Sequence, residues 1–167
     1  MPSIYEDLGF LILGTRLRRM SEYFLSEVGK VYQELQINFE PSWFPLFYIL
    51  YRDKQVSIKQ LADELNTSHS AMSQLVTKLK DKGLIETLTS KKDRRIQLIA
   101  LTQEGEILLQ SVLPIWNSIS TGMKQMESTY SAVAHFLPAL GDLEKHFESQ
   151  SLSEVILHQV EKADNYK

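Results

Sequence analysis

The sequence predicts a mainly α-helical fold carrying one small β-hairpin. Three observations predict it. Apolar residues recur at helical spacing over long stretches at both ends of the chain. Glycine and proline are scarce, seven and five in 167 residues, which disfavours a turn-rich all-β architecture. Between the helical ends, two helix-start signals stand one short turn apart, followed by two short apolar runs joined at a charged tip.

Residues 4–38 read as one long helix. Ile4, Leu8, Leu11 and Ile12 begin its apolar stripe, Phe24, Leu25, Val28, Val31, Tyr32 and Leu35 continue it, and Gly14 and Gly29 are its weak points. Asn38 ends it. Pro41 then opens a second helix at the first position, where a missing N–H costs nothing. Across residues 41–52, Trp43, Phe44, Phe47, Tyr48 and Tyr51 fall on adjacent helical rows.

Ser57 and Gln60 have the spacing of a capping box, in which hydroxyl and amide satisfy each other's backbone N–H groups. Ile58, Leu61, Ala62 and Leu65 form the inner face of the short helix that follows, and Asn66 and Thr67 form the turn. Ser68 is a second N-cap. After it, Met72, Leu75, Val76 and Leu79 form an apolar stripe, while Ser70, Ser73, Gln74, Thr77, Lys78 and Asp81 occupy the other side. Gly83 closes this helix in the left-handed conformation of a C-terminal glycine. Residues 84–88 and 95–101 predict a hairpin around the tip Lys91-Lys92-Asp93-Arg94-Arg95.

Thr102 caps a long final stretch. Leu108, Val112, Ile115, Trp116, Ile119, Met123, Met126 and Tyr130 keep helical period, with a kink expected at Pro114. Further helices are expected over 131–148 and about 152–163.

The net charge of −3 argues against a polyanionic partner until its distribution is considered. Residues 54–95 hold nine Lys and Arg against five Asp and Glu, so this segment is +4 and the remainder is −7. A local anion-binding face on an acidic body has this footprint; a solvated charge run is the plainer explanation. Two capped helices joined by a short turn make a helix-turn-helix, whose second helix fits the major groove of B-DNA, about 12 Å wide. Hydroxyls near the helix start suit phosphates, Gln74 can pair with the adenine edge, and Lys78 can reach a guanine or a phosphate. Taken alone, this helix equally describes an amphipathic surface helix. The hairpin shifts the balance, because four cations in five residues repel one another and a wall of minor-groove phosphates relieves that repulsion.

The stretch from Leu61 to Gly105 resembles the MarR family of bacterial winged-helix regulators. The resemblance rests on Leu61-Ala62, Ser68, Leu79-x-x-x-Gly83-Leu84-Ile85, Asp93-x-Arg95 and Leu101-Thr102-x-x-Gly105. The spacing from Asp-x-Arg to Leu-Thr is its most specific part. The long first helix, the aromatic second helix and the long C-terminal helices agree with it. It implies a winged helix-turn-helix flanked by N- and C-terminal dimerisation helices, with residues 39–102 binding DNA and 1–38 and 103–167 dimerising. Arg95 would enter the minor groove, Asp93 would orient the wing, and Ser68, Ser70, Ser73, Gln74 and Lys78 would face the major groove. Thr77, Lys91, Lys92 and Arg94 complete the expected DNA-binding set. Many relatives carry Arg where Gln74 stands. The region after about 150 looks longer than usual for the family.

The implied function is a homodimeric regulator of transcription, expected to be a repressor, on palindromic double-stranded DNA. Dimerisation also follows from the apolar helices at both ends, which one small winged helix cannot cover. Family members often bind small aromatic or phenolic molecules in a crevice beside the dimer helices. Arg16, Tyr23, Trp43, Phe47 and Tyr51 are the candidates for such an effector site; core packing is the competing reading of the aromatic row. The four histidines form no ligand pair, and there is no cysteine, which removes disulfides, thiolate metal sites and thiol redox sensing. No metal, cofactor or catalytic constellation is expected, and no apolar window reaches the ~18 residues of a membrane span. The expected location is the cytoplasm. The rival reading is a winged helix used for protein–protein assembly, its basic hairpin binding an acidic partner.

Overall fold

A computed structural model describes residues 4–89 and 95–164. The chain divides into two compact units, residues 1–115 and 116–167. The first begins with α1 (Ile4–Leu8), a 3₁₀ turn (Gly9–Ile12) and α2 (Leu13–Glu34). The expected single helix over 4–38 is therefore interrupted. Gly9 takes φ +49°, a conformation that ends α1, while Gly14 and Gly29 stay helical within α2. The C-terminal end also comes early: the chain leaves α2 at Leu35, and Gln36 turns it with φ +55°.

A 3₁₀ turn (Pro41–Trp43) leads into α3 (Phe44–Asp53), with Pro41 in the opening position as expected. Trp43, Leu46, Phe47 and Leu50 are fully enclosed. Phe39 meets Tyr32, Trp43 and Phe47 edge-on at centroid separations of 5.1, 5.5 and 5.0 Å. These rings fasten the end of α2 to α3, each burial contributing roughly 1.5–3 kcal/mol.

Next come β1 (Val56–Ser57), α4 (Ile58–Glu64), α5 (His69–Asp81), β2 (Ile85–Thr89) and β3 (Gln97–Leu101). The hairpin is present, but the sheet has three antiparallel strands in the order β1-β3-β2. Ile85 pairs with Leu101 and Leu88 with Leu98, and on the other edge of β3 Val56 pairs with Ile99. The extra strand is two residues long, too short to carry a period in the sequence. Met72, Val76 and Leu79 of α5 are buried with Leu61, Ala62, Val56, Ile85 and Ile99 in the core of this unit.

Arg52 ties the end of α3 to α4. Its guanidinium donates to both Glu64 carboxylate oxygens, at 2.6 and 2.8 Å, and to both Asp53 oxygens, at 2.7 Å. These hydrogen bonds, to Asp53 first and Glu64 second, raise the Arg52 pKa, and hold both carboxyls below their usual range. A carboxylate with a depressed folded pKa adds stability that is full above the ordinary carboxylate range and fades as the pH falls through its folded value. The stability gap between wild type and Arg52→Ala should therefore be widest at neutral pH and close on acidification. Urea titrations across the acid range measure it; a gap independent of pH would show that Arg52 acts through packing alone.

α6 (Gln103–Thr129) continues without interruption through Pro114. Its deepest residues are Leu109, Val112 and Ile115; Leu108, expected on the buried stripe, is half-buried, because Leu109 sits on the inward row. The second unit continues with α7 (Ser131–Ala134), α8 (Phe136–Ser149) and α9 (Leu152–Asp164). The helix expected over 131–148 is split at His135. Pro138 explains the split: its ring would meet the carbonyl of Ala134 in a continuous helix, whereas the restart places it in the first turn of α8. None of the described side chains of this unit is fully buried, and Met126, Phe136, Leu137, Leu152, Ile156 and Leu157 are all exposed. Among the described residues, no helix is long and apolar enough to cross a membrane.

Candidate nucleic-acid interface

The geometry of the helix-turn-helix is fixed by its caps. Ser57 accepts from the Gln60 N–H at 3.1 Å, while the Gln60 side chain accepts from the Ser57 N–H at 3.0 Å, the reciprocal box expected. Asn66 turns the chain with φ +47°, and the Thr67 N–H returns to the Ala62 carbonyl at 3.0 Å. Ser68 caps α5 by accepting from the Ala71 N–H at 3.1 Å. The first turn of α5 is thereby left open to solvent, with Ser68, His69 and Ser70 exposed.

Along α5 the outward row is polar. Ser70, Ser73, Gln74, Thr77, Lys78, Asp81 and Lys82 line one open concavity of about 610 Å³. Five of the sequence-predicted site residues are brought together here, while Ser68 stands at the helix mouth as its cap. Gln74 is exposed. The Thr77 hydroxyl donates to the Ser73 carbonyl at 2.9 Å, so towards a ligand it offers lone pairs rather than a proton.

Lys78 is more engaged than its sequence position suggests. Its Nζ lies 2.7 Å from Glu40 Oε2 and 5.8 Å from the centroid of the Trp43 ring. Lys82 Nζ stands 5.5 Å from the same ring. Glu40 and Lys82 were missed by sequence reasoning. For Lys82 a signal existed, one turn beyond Lys78 on the same row; for Glu40, 38 residues away, none did.

The wing emerges where α5 ends. Gly83 takes φ +71° and turns the chain into β2. Thr102, at the other end of the hairpin, donates its hydroxyl to the Gly83 carbonyl at 2.6 Å and accepts from the Gly105 N–H at 3.1 Å. Its own N–H reaches the Leu84 carbonyl at 3.1 Å. Both bases of the hairpin are thus clamped to the start of α6. Arg95 is exposed in the turn before β3. Lys91, Lys92, Asp93 and Arg94 lie outside the described residues.

The effector candidates are not alike. Trp43 and Phe47 are wholly buried in the aromatic core, so a ligand could reach them only by repacking it. Tyr23 and Tyr51 are exposed. Arg16 is exposed, and its guanidinium stands 5.7 Å from the Tyr5 ring centroid. Among the described residues, no group of three or more His, Cys, Asp or Glu side chains could hold a metal ion.

A capped helix-turn-helix, preceded by one strand and followed by the two-stranded hairpin that completes its antiparallel sheet, defines a winged helix-turn-helix fold. Residues 37–96 match the MarR family model. The HTH-type transcriptional regulator MhqR of Bacillus subtilis (strain 168) is 23% identical over 105 residues, spanning 63% of this chain and 68% of that protein. Among solved structures, AbsC, a MarR family transcriptional regulator from Streptomyces coelicolor, superposes with a TM-score of 0.66 at 16% identity, covering 90% of this chain and 99% of AbsC. Reduced AbfR bound to DNA superposes with a TM-score of 0.64 at 17% identity, covering 86% of this chain and 97% of AbfR. The family likeness is carried by residues 37–96, and the relatives and solved structures that this chain resembles are regulators of transcription.

Proposed function

We propose that this chain represses transcription by binding a palindromic duplex as a homodimer, with α5 in the major groove and the basic wing tip in the adjacent minor groove. The observation that carries this reading is the outward row of α5. It is polar from Ser70 to Lys82, opens at a serine-capped N-terminus, and stands beside a hairpin whose tip holds four cations. Hydroxyls and the cap region position the phosphate backbone, while Gln74 reads base edges. A similar fold is seen on DNA in AbfR.

Homodimerisation is supported by the unspent apolar surface. Phe10 and Leu11 of the first unit are 82% and 89% exposed, and the second unit exposes a comparable set. Each unit thus leaves large apolar side chains in water that a partner copy could cover. Two recognition helices related by a twofold axis would stand about 34–36 Å apart, matching half-sites one helical turn apart. An aromatic or phenolic effector, released or captured at the dimer helices, would meet Tyr23, Tyr51 and Arg16 rather than the enclosed Trp43 and Phe47.

The test is selection of bound duplexes from a random pool, repeated with aromatic acids present, alongside light scattering. Enrichment of an inverted repeat and a dimer mass are expected; a stable monomer at micromolar concentration, or recovery of no preferred sequence, would count decisively against the reading. Arg95→Ala should weaken binding on all sequences and reduce the salt slope by about one ion per arm. An unchanged slope in fluorescence anisotropy titrations would remove Arg95 from the interface.

A further inference from the structure

We propose that Glu40 is a positioning residue that withholds Lys78 from the duplex and so limits the affinity of the recognition helix. The proposal rests on the DNA-binding reading above and deepens it. Lys78 lies on the outward row of α5, where a phosphate would be its natural partner. It already has an anion: Glu40 Oε2 at 2.7 Å. The pair is half exposed, with 50% of the Lys78 and 43% of the Glu40 side chain open to solvent, so it is accessible to a competing anion.

Its geometry is set from beneath. Glu40 precedes the 3₁₀ turn of Pro41–Trp43 in extended conformation, and its carbonyl accepts from the Trp43 N–H at 2.9 Å. The carboxylate and the Trp43 ring therefore come from one tight turn. Trp43 has no exposed surface although the Lys78 and Lys82 ammonium groups stand within 6 Å of its ring centroid. Both ammonium groups stand at cation–π distance from the indole. Lys78 is held at two points, by the carboxylate and by the ring.

A phosphate that takes Lys78 must displace Glu40, which is left beside the polyanion without its cation. Both effects oppose binding. Exposed pairs of this type are weak, so the barrier is a graded brake rather than a lock.

The experiment is a double-mutant cycle on the full chain with a duplex recovered from the random pool, read by anisotropy across a salt series. Glu40→Gln keeps the shape of the side chain and removes its charge. It should tighten binding roughly two- to fivefold per protomer and steepen the log–log salt slope by about one per released lysine. Lys78→Met keeps an unbranched side chain of similar length and removes the cation that Glu40 holds. Glu40→Gln placed on Lys78→Met should give a clearly smaller gain than on wild type, because only the repulsion between Glu40 and phosphate is left to relieve. Thermal melts confirm that each variant folds.

Glu40→Gln that leaves affinity and slope unchanged, or weakens binding, would overturn the proposal while leaving DNA binding intact. An equal gain in the Lys78→Met background would overturn it too, since direct repulsion between Glu40 and phosphate would then suffice. A wild-type chain that selects no duplex would remove the DNA-binding reading itself.

Discussion

Gly105→Ala should destabilise the first unit by about 2–3 kcal/mol, although it replaces glycine by the best helix former in the first turn of a helix. Two effects compete. Alanine in place of glycine gains about 1 kcal/mol in an open helix. Here the added methyl would overlap the Leu84 carbonyl oxygen, with the Leu84 carbonyl carbon 3.1 Å and the Leu101 Cβ 3.2 Å away. Backbone cannot rotate aside as a side-chain tip can, so the overlap must be relieved by moving α6 off the turn between α5 and β2. Forced overpacking of this kind costs about 1–3 kcal/mol and occasionally more, and the same movement breaks the Thr102 bonds to Gly83 and Gly105. Urea unfolding of the variant measures the loss. A variant as stable as wild type would show that α6 can shift without cost and that Thr102 does not clamp the wing.

Raising salt from about 50 to 200 mM should lower duplex affinity by about a thousandfold or more. The wing tip supplies four cations in each protomer, eight in a dimer. Each phosphate they neutralise releases a condensed counterion, and the loss scales with their number. The acidic balance of the rest of the chain sharpens the contrast, because affinity then depends on one small basic face. Anisotropy titrations at several salt concentrations give the slope directly. A change below tenfold would mean that the tip does not line a groove. A steep slope with equal affinity for every duplex would assign the wing to steering and leave sequence choice unexplained by α5.

What could be read from the sequence was what is local. The Ser57–Gln60 box, the Ser68 cap and the Gly83 turn each involve neighbours within a few residues, and the structure has all three. Legibility failed where distant residues decide the outcome. β1 is two residues long and exists because Val56 finds Ile99. The Lys78 partner lies 38 positions earlier. The aromatic row over 41–52 could be core or crevice on spacing alone; Tyr32 and Phe39, from outside the row, enclose Trp43 and Phe47 in core. The break at Gly9 was missed: Gly14 and Gly29 were read as the weak points of the helix, yet of these three glycines only Gly9 takes a positive φ. The restart at Phe136 was legible in principle, since Pro138 forbids a continuous helix there.

Ser57 belongs to two structures at once. It is the last residue of β1, paired with Leu98 of β3, and it is the cap that starts α4. The strand that braces the wing along β3 and the helix that begins the reading unit therefore share a hinge pin rather than a hinge. Tilting the wing alone would tear the cap from α4, so wing and helix-turn-helix must travel as one rigid head. In a dimer, a signal could then alter DNA binding by changing the distance between two such heads, and not by reshaping either one.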